Sequence, residues 1–298
     1  MSWLICGTVP KEGEGLDFGQ LSLHDNSLTL SGQDHSIARG TPALMAAACI
    51  TSETIGGLAP YALLAQDTGT GKGSRALYQK LCTLLPTIAL EGITFHYLLP
   101  DVDWQIKILS AVDEMAERPL LVADAGYMYA VKMSNCAPDF DLFTPDAGEL
   151  AFLADEEAPH PFYTRGFLLA DEGDTPKMIQ RAVETGGAAH NMLVKGKTDH
   201  VVIQGKVVGT VSEPSLPAME AIGGSGDTVT GIVSALLAHG LPMAQSCRMA
   251  AKANRLMGHK ARVTPATQIH ELLAHLPSAL QEVMQEENYG QGSVKGEG

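Results

Sequence analysis

The chain has 298 residues, of which 45% are hydrophobic and 18% are charged, so it is long and apolar enough to bury a substantial core. Its formal net charge of −14 argues against nucleic acids and anionic membranes as partners, because their phosphates attract clustered Lys and Arg. A small polyphosphate is still compatible with this charge, because backbone N–H groups and one or two cations can hold it locally.

The cysteines and the hydropathy pattern indicate in which cellular compartment the protein is expected. The five cysteines are scattered and include no C-x-x-C pair, which is typical of reduced, mostly buried thiols. No apolar run approaches the roughly 18 residues that a membrane span needs, and the first residues do not have the pattern of a secretory signal. We therefore expect a soluble, cytoplasmic protein.

The predicted elements alternate between helices and short apolar strands. The first 40 residues are expected to hold a strand in WLICG and a hairpin in LSLHDNSLTLSG. Further strands are predicted at 61–65, 93–99, 119–124 and around 192, followed by a hairpin that turns at Gln204 and Gly205. Helices are predicted at 42–52, from Ser74, from an Asp103 cap, at 174–187, from about 227, at 243–258 and at 268–284.

Repeated strand–helix–strand units predict an α/β fold with a mainly parallel central sheet and helices on both faces. Ligands of such sheets bind beyond the carboxyl ends of the strands. We expect one domain over residues 1–285. The segment 286–298 has no apolar pattern and is expected to be a mobile tail.

The stretch AIGGSGDTVTGIVSALLAHG, residues 221–240, places glycines and Asp227 ahead of a strongly patterned helix. Converging backbone N–H groups and the helix dipole would make an anion site there. Asp227 is then either an ordinary N-cap or the carboxylate that takes a proton from an attacking hydroxyl in phosphoryl transfer.

The stretch QDTGTGKGS, residues 66–74, only superficially resembles a P-loop. The motif G-x-x-x-x-G-K-[ST] would need Gly at position 66 and Ser or Thr at position 73, but the chain has Gln66 and Gly73 there. We expect a flexible loop ahead of a helix that begins at Ser74, from which Lys72 and Arg75 could still contact a substrate anion.

Two further segments each allow a structural and a functional interpretation. In FTPDAGEL, Asp146 and Glu149 form either a capping box or a carboxylate pair that holds hydrated magnesium near phosphates. In LVKGKTDHVV, Lys195, Lys197 and Thr198 form either a solvated hairpin corner or a contact with a polyphosphate.

The order of LVADAGYM, FTPDAGEL, LVKGKTDHVV, GGSGDTVTGIVSALLAHGL and IHELLAHLPSAL resembles the ribokinase-like superfamily. The likeness extends from about residue 117 to 285, and it is strongest to the nucleotide-dependent NAD(P)H-hydrate dehydratases. This resemblance implies a ribokinase-like sheet and a homo-oligomer. It also implies the phosphorylation of hydrated NADH or NADPH by ADP or ATP, followed by elimination of phosphate.

The resemblance also implies roles for individual residues. Asp227 would be the base that activates the substrate hydroxyl, beside an anion hole formed by Gly224, Ser225 and Gly226. Glu149 would lie near the phosphates and magnesium. The nucleotide-contacting turn would consist of Lys195, Gly196, Lys197 and Thr198, with Gly226 also near the nucleotide.

The chain departs from the dehydratase pattern at two places. It reads TPDAGE where the dehydratases have T-P-H-P-G-E, so Asp146 stands where a histidine would contact the substrate, and it has YLLPDVDW in place of a G-P-G-L-type loop. Asp146 with Glu149 instead resembles the N-x-x-E pair that orders magnesium-bound water in vitamin and sugar kinases. Two other functions therefore stay open: an ATP-dependent kinase for a small alcohol, and a non-catalytic nucleotide-binding regulator.

Overall fold

The computed structural model describes residues 3–24, 26–157 and 174–294, with side chains described as far as residue 287. Asp25 of the predicted hairpin and residues 295–298 of the predicted tail lie outside this described part. No helix within these ranges is both long and apolar enough to cross a membrane.

A nine-stranded sheet forms the centre of the molecule, and a small antiparallel sheet lies beside it. The large sheet contains β1 (Trp3–Val9), β2 (Leu16–Gln20), β6 (Tyr61–Gln66), β7 (Gly92–His96), β8 (Leu120–Ala123), β9 (Leu142–Phe143), β10 (Met192–Val194), β11 (Asp199–Ile203) and β12 (Lys206–Val211). The small sheet contains β3 (Ser22–His24), β4 (Ser27–Leu30) and β5 (Gln33–Ser36). The order in the large sheet is β12-β11-β10-β9-β8-β7-β1-β6-β2.

Six neighbouring strands pair in parallel, in the order β10-β9-β8-β7-β1-β6. The strands at the two edges, β2 on one side and β11 and β12 on the other, pair with their neighbours in the antiparallel direction. The carboxyl ends of the parallel strands therefore meet at one edge, where ligands of such sheets bind. The sheet confirms the predicted α/β architecture and both predicted hairpins over their described residues.

Helices cover both faces of the sheet. They are α1 (Gly40–Thr54), α2 (Lys72–Leu84), α3 (Val102–Asp113), α4 (Gly126–Met133), α5 (Ala147–Leu153), α6 (Thr175–Glu184), α7 (Ser225–Ala238), α8 (Met243–Ala261), α9 (Ile269–Leu273) and α10 (Leu276–Val294). Residues of α1 and α7 to α10 bury one face, and residues of α2 to α6 bury the other. In β1, Trp3 and Ile5 enter the first core while Leu4 and Cys6 enter the second, as the two-residue period of a strand requires.

Close packing of α1 against α7 places the first turns of both helices beside each other. Gly231 permits this approach, because a Cβ added there would lie only 2.1 Å from the carbonyl oxygen of Leu44. Most residues of α1 from Gly40 to Cys49 are buried, including a run of alanines. Both helices therefore begin near the carboxyl ends of the central strands, where they position the site described below.

Several boundaries differ from the sequence-based predictions; for example, β7 ends at His96, three residues before the predicted end of this strand. The cap of α3 is Asp101, whose carboxylate accepts a hydrogen bond from the N–H of Trp104 at 3.2 Å, and the predicted cap Asp103 lies inside the first turn. Helix α2 begins at Lys72, two residues before Ser74. The last helix continues to Val294, into the predicted tail, where Arg248 of α8 binds Glu287 at 2.8 Å. The mobility of the tail and the single-domain assignment stay predictions.

Candidate active site

Asp227 does not cap its own helix. The N-cap of α7 is Gly224, in a left-handed conformation with φ 98°, and Asp227 is the third helical residue. Its carboxylate instead joins elements that are distant in sequence: one oxygen accepts from the N–H of Gly40 at 2.8 Å, and the other lies 3.0 Å from Nε2 of His96. The N-cap interpretation of Asp227 is therefore wrong, and its side chain is held at the carboxyl end of β7.

The surroundings of Asp227 keep it ionised. Burial alone would raise the pKa of its carboxyl, but the hydrogen bond and the charge interaction with His96, the charge of Lys195 and the N–H of Gly40 together lower it below the ordinary Asp value. The side chain is still 14% exposed, so a substrate can reach it. Asp227 is thus a partly accessible carboxylate that stays ionised at neutral pH.

The glycine turn before α7 leaves backbone donors open. The N–H of Thr228 makes the first bond of the helix, to the carbonyl of Gly224 at 3.0 Å, so the N–H groups of Gly226 and Asp227 have no acceptor within the helix. The hydroxyl of Ser225 donates to the carbonyl of Met219 at 2.9 Å and ties the turn to the preceding segment. The N–H of Ser225 donates to the carbonyl of Ile222 at 3.2 Å, so among Gly224, Ser225 and Gly226 the predicted anion hole loses this donor. The open N–H groups of Gly226 and Asp227 form a backbone cradle at the N-terminus of α7.

Lys195 brings a positive charge to this cradle. Its Nζ lies 2.8 Å from Asp124, which directly follows β8, and about 3.9 Å from where a Cβ on Gly226 would be. Burial opposes the charged form, but Asp124 and Glu149 outweigh it and raise the pKa of Lys195 above its ordinary value. Asp124 also accepts from the hydroxyl of Thr230 at 2.6 Å, so its position is fixed from α7.

His96, Asp124 and Asp227 are close enough to share a metal ion, since their ligand atoms lie within 4.8 Å of one another. The ammonium of Lys195 already provides a cation to this group, at 2.8 Å from Asp124. Asp124 is therefore already paired with a cation, whereas the carboxylate of Asp227 is held by His96 and Gly40.

The predicted nucleotide turn, residues 195–198, is held in shape by a buried ion pair. Arg255 of α8 binds Asp199 at 2.8 Å and donates to the carbonyl groups of Gly196 and Lys197, both at 2.9 Å. The N–H of Gly196 donates to the other oxygen of Asp199 at 3.0 Å. Because its carbonyl groups are engaged in this way, the turn has a fixed shape beside the cradle.

A cavity of about 510 Å³ connects this turn to the cradle. Lys195, Gly196, Lys197, Ser225 and Gly226 contribute to its lining, whereas Thr198 does not. Its remaining walls include Leu216, Pro217, Met219, Val229 and Asn254. The volume suits a small organic ligand, and the lining combines apolar side chains with Lys195, Lys197 and the start of α7.

Asp146 and Glu149 form the capping box that the sequence allows. The carboxylate of Asp146 accepts from the N–H of Glu149, and that of Glu149 accepts from the N–H of Asp146, both at 2.8 Å. Partial burial and the charge of Asp146 raise the pKa of Glu149 well above its ordinary value. Each carboxylate keeps one oxygen outside the cap, and the repulsion between them would be relieved by a cation, so the pair fits hydrated magnesium.

The loop after β7 is closed by a side chain where the dehydratase pattern has glycines. Tyr97 adopts a left-handed φ of 47°, which is a strained conformation for a bulky residue. Its ring centroid lies 4.3 Å from that of His96, and 43% of Tyr97 is exposed. A Cβ added to Gly40 would lie 3.5 Å from the Tyr97 ring. Tyr97 therefore lies beside His96 and Gly40, the two residues that hold the carboxylate of Asp227.

The glycine-rich loop 67–74 is not a phosphate loop. The carboxylate of Asp67 accepts from the N–H groups of Gly69, Gly71 and Ser74 at 3.0, 3.0 and 2.9 Å, and from the Ser74 hydroxyl at 3.0 Å. A protein carboxylate thus occupies the position that a phosphate would need. This geometry supports the rejection of a P-loop from its spacing.

Sequence reasoning did not identify His96, Asp124 or Arg255 as site residues. His96 and Asp124 are polar residues that end or follow apolar strands, and this position at the carboxyl edge of the sheet is the signal that could have found them. Arg255 lies within a long helix and has no comparable signal.

The fold is similar to that of solved structures. A ribokinase-like superfamily protein of Enterococcus faecalis aligns over 95% of this chain and 87% of its own, with a TM-score of 0.57 and 14% identity. This likeness shows a ribokinase-like fold and no more than the fold.

Sequence comparison then gives the family. The family described as NAD(P)H-hydrate dehydratase matches residues 99–281, and the chain belongs to this family. An uncharacterized protein of Methanocaldococcus jannaschii is 39% identical over 73% of this chain and 90% of its own length. The ADP-dependent (S)-NAD(P)H-hydrate dehydratase of Cenarchaeum symbiosum is 28% identical over 64% of this chain, which spans 61% of that relative. The protein is thus an enzyme of the dehydratase or kinase type.

Proposed function

We propose that the protein is a nucleotide-dependent NAD(P)H-hydrate dehydratase. It would use ADP or ATP to phosphorylate the hydroxyl of hydrated NADH or NADPH, and it would then eliminate phosphate to restore the nicotinamide. The observation that carries this proposal is the placement of Asp227 in the first turn of α7, where its ionised carboxylate lies beside open N–H groups and Lys195. The nucleotide dependence of the archaeal relative supports the choice of phosphoryl donor.

The donor phosphates would bind in the cavity between the 195–198 turn and the cradle. The N–H groups of Gly226, which lines the cavity, and of the neighbouring Asp227 would bind a terminal phosphoryl group, and the ammonium of Lys195 would balance its charge. Asp146 and Glu149 would hold a magnesium ion through water, which when bound neutralises charge on the transferring phosphoryl group.

Asp227 would start the reaction by accepting the proton of the substrate hydroxyl. The hydroxyl oxygen forms a bond to the terminal phosphorus, and the bond from that phosphorus to the nucleotide breaks, releasing AMP from ADP or ADP from ATP. In the second step the carbon–oxygen bond of the phosphate ester breaks and phosphate leaves with the electron pair. A proton passes from the adjacent carbon to the departing phosphate or to water, and the electron pair of that carbon–hydrogen bond forms the ring double bond.

An ATP-dependent kinase for a small alcohol is the second candidate. Asp146 stands where the dehydratase pattern has a histidine, and its carboxylate is engaged in the capping box with Glu149. Tyr97 also lies beside His96 in place of a glycine loop. Both features favour an acceptor other than a hydrated dinucleotide.

One assay separates the two functions. The protein is incubated with magnesium, NADH hydrate and either ADP or ATP, while the return of nicotinamide absorbance is followed. We expect recovery with the wild type and none with Asp227→Asn. Lack of recovery by a folded wild type that binds nucleotide in calorimetry would exclude the dehydratase, and phosphate retained on an alcohol product would establish the kinase. Nucleotide binding without turnover of any acceptor would indicate a regulator.

We also propose that the protein forms a homo-oligomer in the cytoplasm and acts on a small molecule, without nucleic acid or membrane partners. The family supports the small-molecule substrate. Light scattering coupled to size-exclusion chromatography would test the oligomer, and a monomeric mass at assay concentration would contradict it.

A further inference from the structure

His96 lies behind the proposed base and belongs to none of the motifs that carry the family resemblance. It is the last residue of β7, and its side chain is fully buried between Asp227 and Thr41. Nε2 is 3.0 Å from Asp227, and Nδ1 is 2.9 Å from the Thr41 hydroxyl. A buried imidazole with both nitrogens in contact has a defined orientation.

The partners of His96 determine where its hydrogen lies. An ionised carboxylate only accepts hydrogen bonds, so Nε2 must carry the hydrogen that Asp227 accepts. In the neutral ring Nδ1 is then an acceptor for the buried hydroxyl of Thr41, whereas in the protonated ring Nδ1 donates to that oxygen. Nε2 carries its hydrogen toward Asp227 in both states, and in the neutral ring Thr41 favours the tautomer that serves Asp227.

Asp124 competes weakly for the same hydrogen. Its nearest oxygen is 3.9 Å from Nε2, beyond hydrogen-bond distance. Both of its oxygens are already engaged, by Lys195 and the N–H of Ala125 on one side and by Thr230 on the other. The hydrogen of His96 is therefore committed to Asp227.

We propose that His96 is a positioning residue for Asp227, whose carboxylate it holds at the mouth of the cradle through the Nε2 hydrogen, with Thr41 fixing the tautomer. This inference rests on the proposed role of Asp227 as the base. Gly40 holds the second oxygen, so β7 and the start of α1 together set the angle at which Asp227 meets a hydroxyl. Correct orientation of a base contributes to the rate of proton transfer.

The groups that face His96 define the expected pH dependence. They are Asp227 from α7, Asp124 after β8, Lys195 bound to Asp124, and the ring of Tyr97. Loss of the Nε2 hydrogen removes a contact that lowers the pKa of Asp227, so that pKa rises. If activity needs ionised Asp227, a protein without this contact would lose activity on acidification at a higher pH than the wild type does.

A matched pair of variants tests the role. In His96→Gln the amide nitrogen reaches the place of Nε2 and can still donate to Asp227, whereas in His96→Asn it reaches only the place of Nδ1. We expect kcat to fall less than about tenfold in the Gln variant and about 10- to 100-fold in the Asn variant, with the KM for nucleotide unchanged in both. The acid limb of the pH profile should move to higher pH only in the Asn variant.

Thermal unfolding of both variants separates this role from a packing role. If the two lose kcat equally, or if Asn matches the wild type in kcat and pH profile, the proposal is overturned. Carboxyl ¹³C NMR, with Asp227→Asn for assignment, gives a readout that needs no turnover. A pKa of Asp227 that rises in His96→Asn but not in His96→Gln supports the contact even if the proposed reaction fails, and an unchanged pKa rejects it.

Discussion

The turns 67–74 and 223–227 contain the same kinds of residue, Gly, Ser and Asp, and each precedes a helix. In the first turn Asp67 comes before the glycines, and its carboxylate fills the space in front of the N–H groups. In the second turn Asp227 comes after the glycines, inside the helix, and its carboxylate is drawn away by His96 and Gly40. The order of Asp and Gly thus decides whether a turn satisfies its own donors or offers them to a ligand.

The largest effect is expected from Asp227→Asn, which keeps the shape of the second turn and removes the base. We expect a loss of about 10³-fold in kcat with little change in nucleotide affinity, because the donors of the cradle remain. Steady-state kinetics and calorimetry with ADP measure the two quantities. A variant that retains more than about a tenth of the activity would show that Asp227 is not the base.

Asp67→Ala should affect stability instead. It leaves the N–H groups of Gly69, Gly71 and Ser74 without their acceptor, which should lower the free energy of unfolding by about 2–4 kcal/mol. Urea unfolding gives this value. Nucleotide affinity measured well below the unfolding midpoint should be unchanged, and a large loss of affinity would mean that the first turn binds the ligand after all.

Gly224→Ala tests the geometry of the second turn. A Cβ at this position would be 3.1 Å from Cβ of Ala43 and 3.2 Å from Cα of Arg39, at a φ of 98°. We expect about 1–3 kcal/mol of destabilisation, together with weaker nucleotide binding because the cradle is displaced. Gly240→Ala is a suitable control, because that glycine has φ 82° and nothing within 4 Å of an added Cβ.

Asp67 in the first turn should also affect how the free energy of unfolding depends on pH in acid. Burial raises the pKa of Asp67, but its hydrogen bonds from Ser74 and Gly71 outweigh burial and lower that pKa below the ordinary value. The stabilisation by Asp67 is therefore complete above about pH 4 and is lost as the pH falls through the lowered pKa. The wild type should lose unfolding free energy more steeply than Asp67→Ala below pH 4, and parallel curves would contradict this.

The smallest effect is expected from Lys72→Ala. Lys72 is exposed and follows a turn whose donors are already satisfied. Nucleotide affinity should change less than about twofold, as for an ordinary surface substitution. A tenfold loss in calorimetry would place Lys72 in the binding site.

Most helices and parallel strands could be predicted, because the period of apolar residues and the glycine signals act locally, as in 221–240 and 61–65. The short elements α4 and β9 were not predicted, and the helix expected at 268–284 is divided into α9 and α10. The sequence also predicts the capping box of Asp146 and Glu149 as one of two interpretations of FTPDAGEL, and the structure contains this capping box. The contacts of Asp227 were not, because Gly40 and His96 lie 187 and 131 residues away in the chain. Local spacing contains no information on which strand end faces which helix start. For the same reason, the sequence does not show that Arg255 donates to the 195–198 turn.

The adjacent first turns of α1 and α7 have an electrostatic consequence. Gly40 and Gly224 place two positive helix ends on either side of Asp227. A polyphosphate approaching a molecule of net charge −14 is repelled at long range, whereas within a few ångströms it meets this doubled dipole field and the ammonium of Lys195. Added salt would screen the distant repulsion before it weakens the contacts at close range, so capture of the nucleotide would quicken with moderate ionic strength rather than slow.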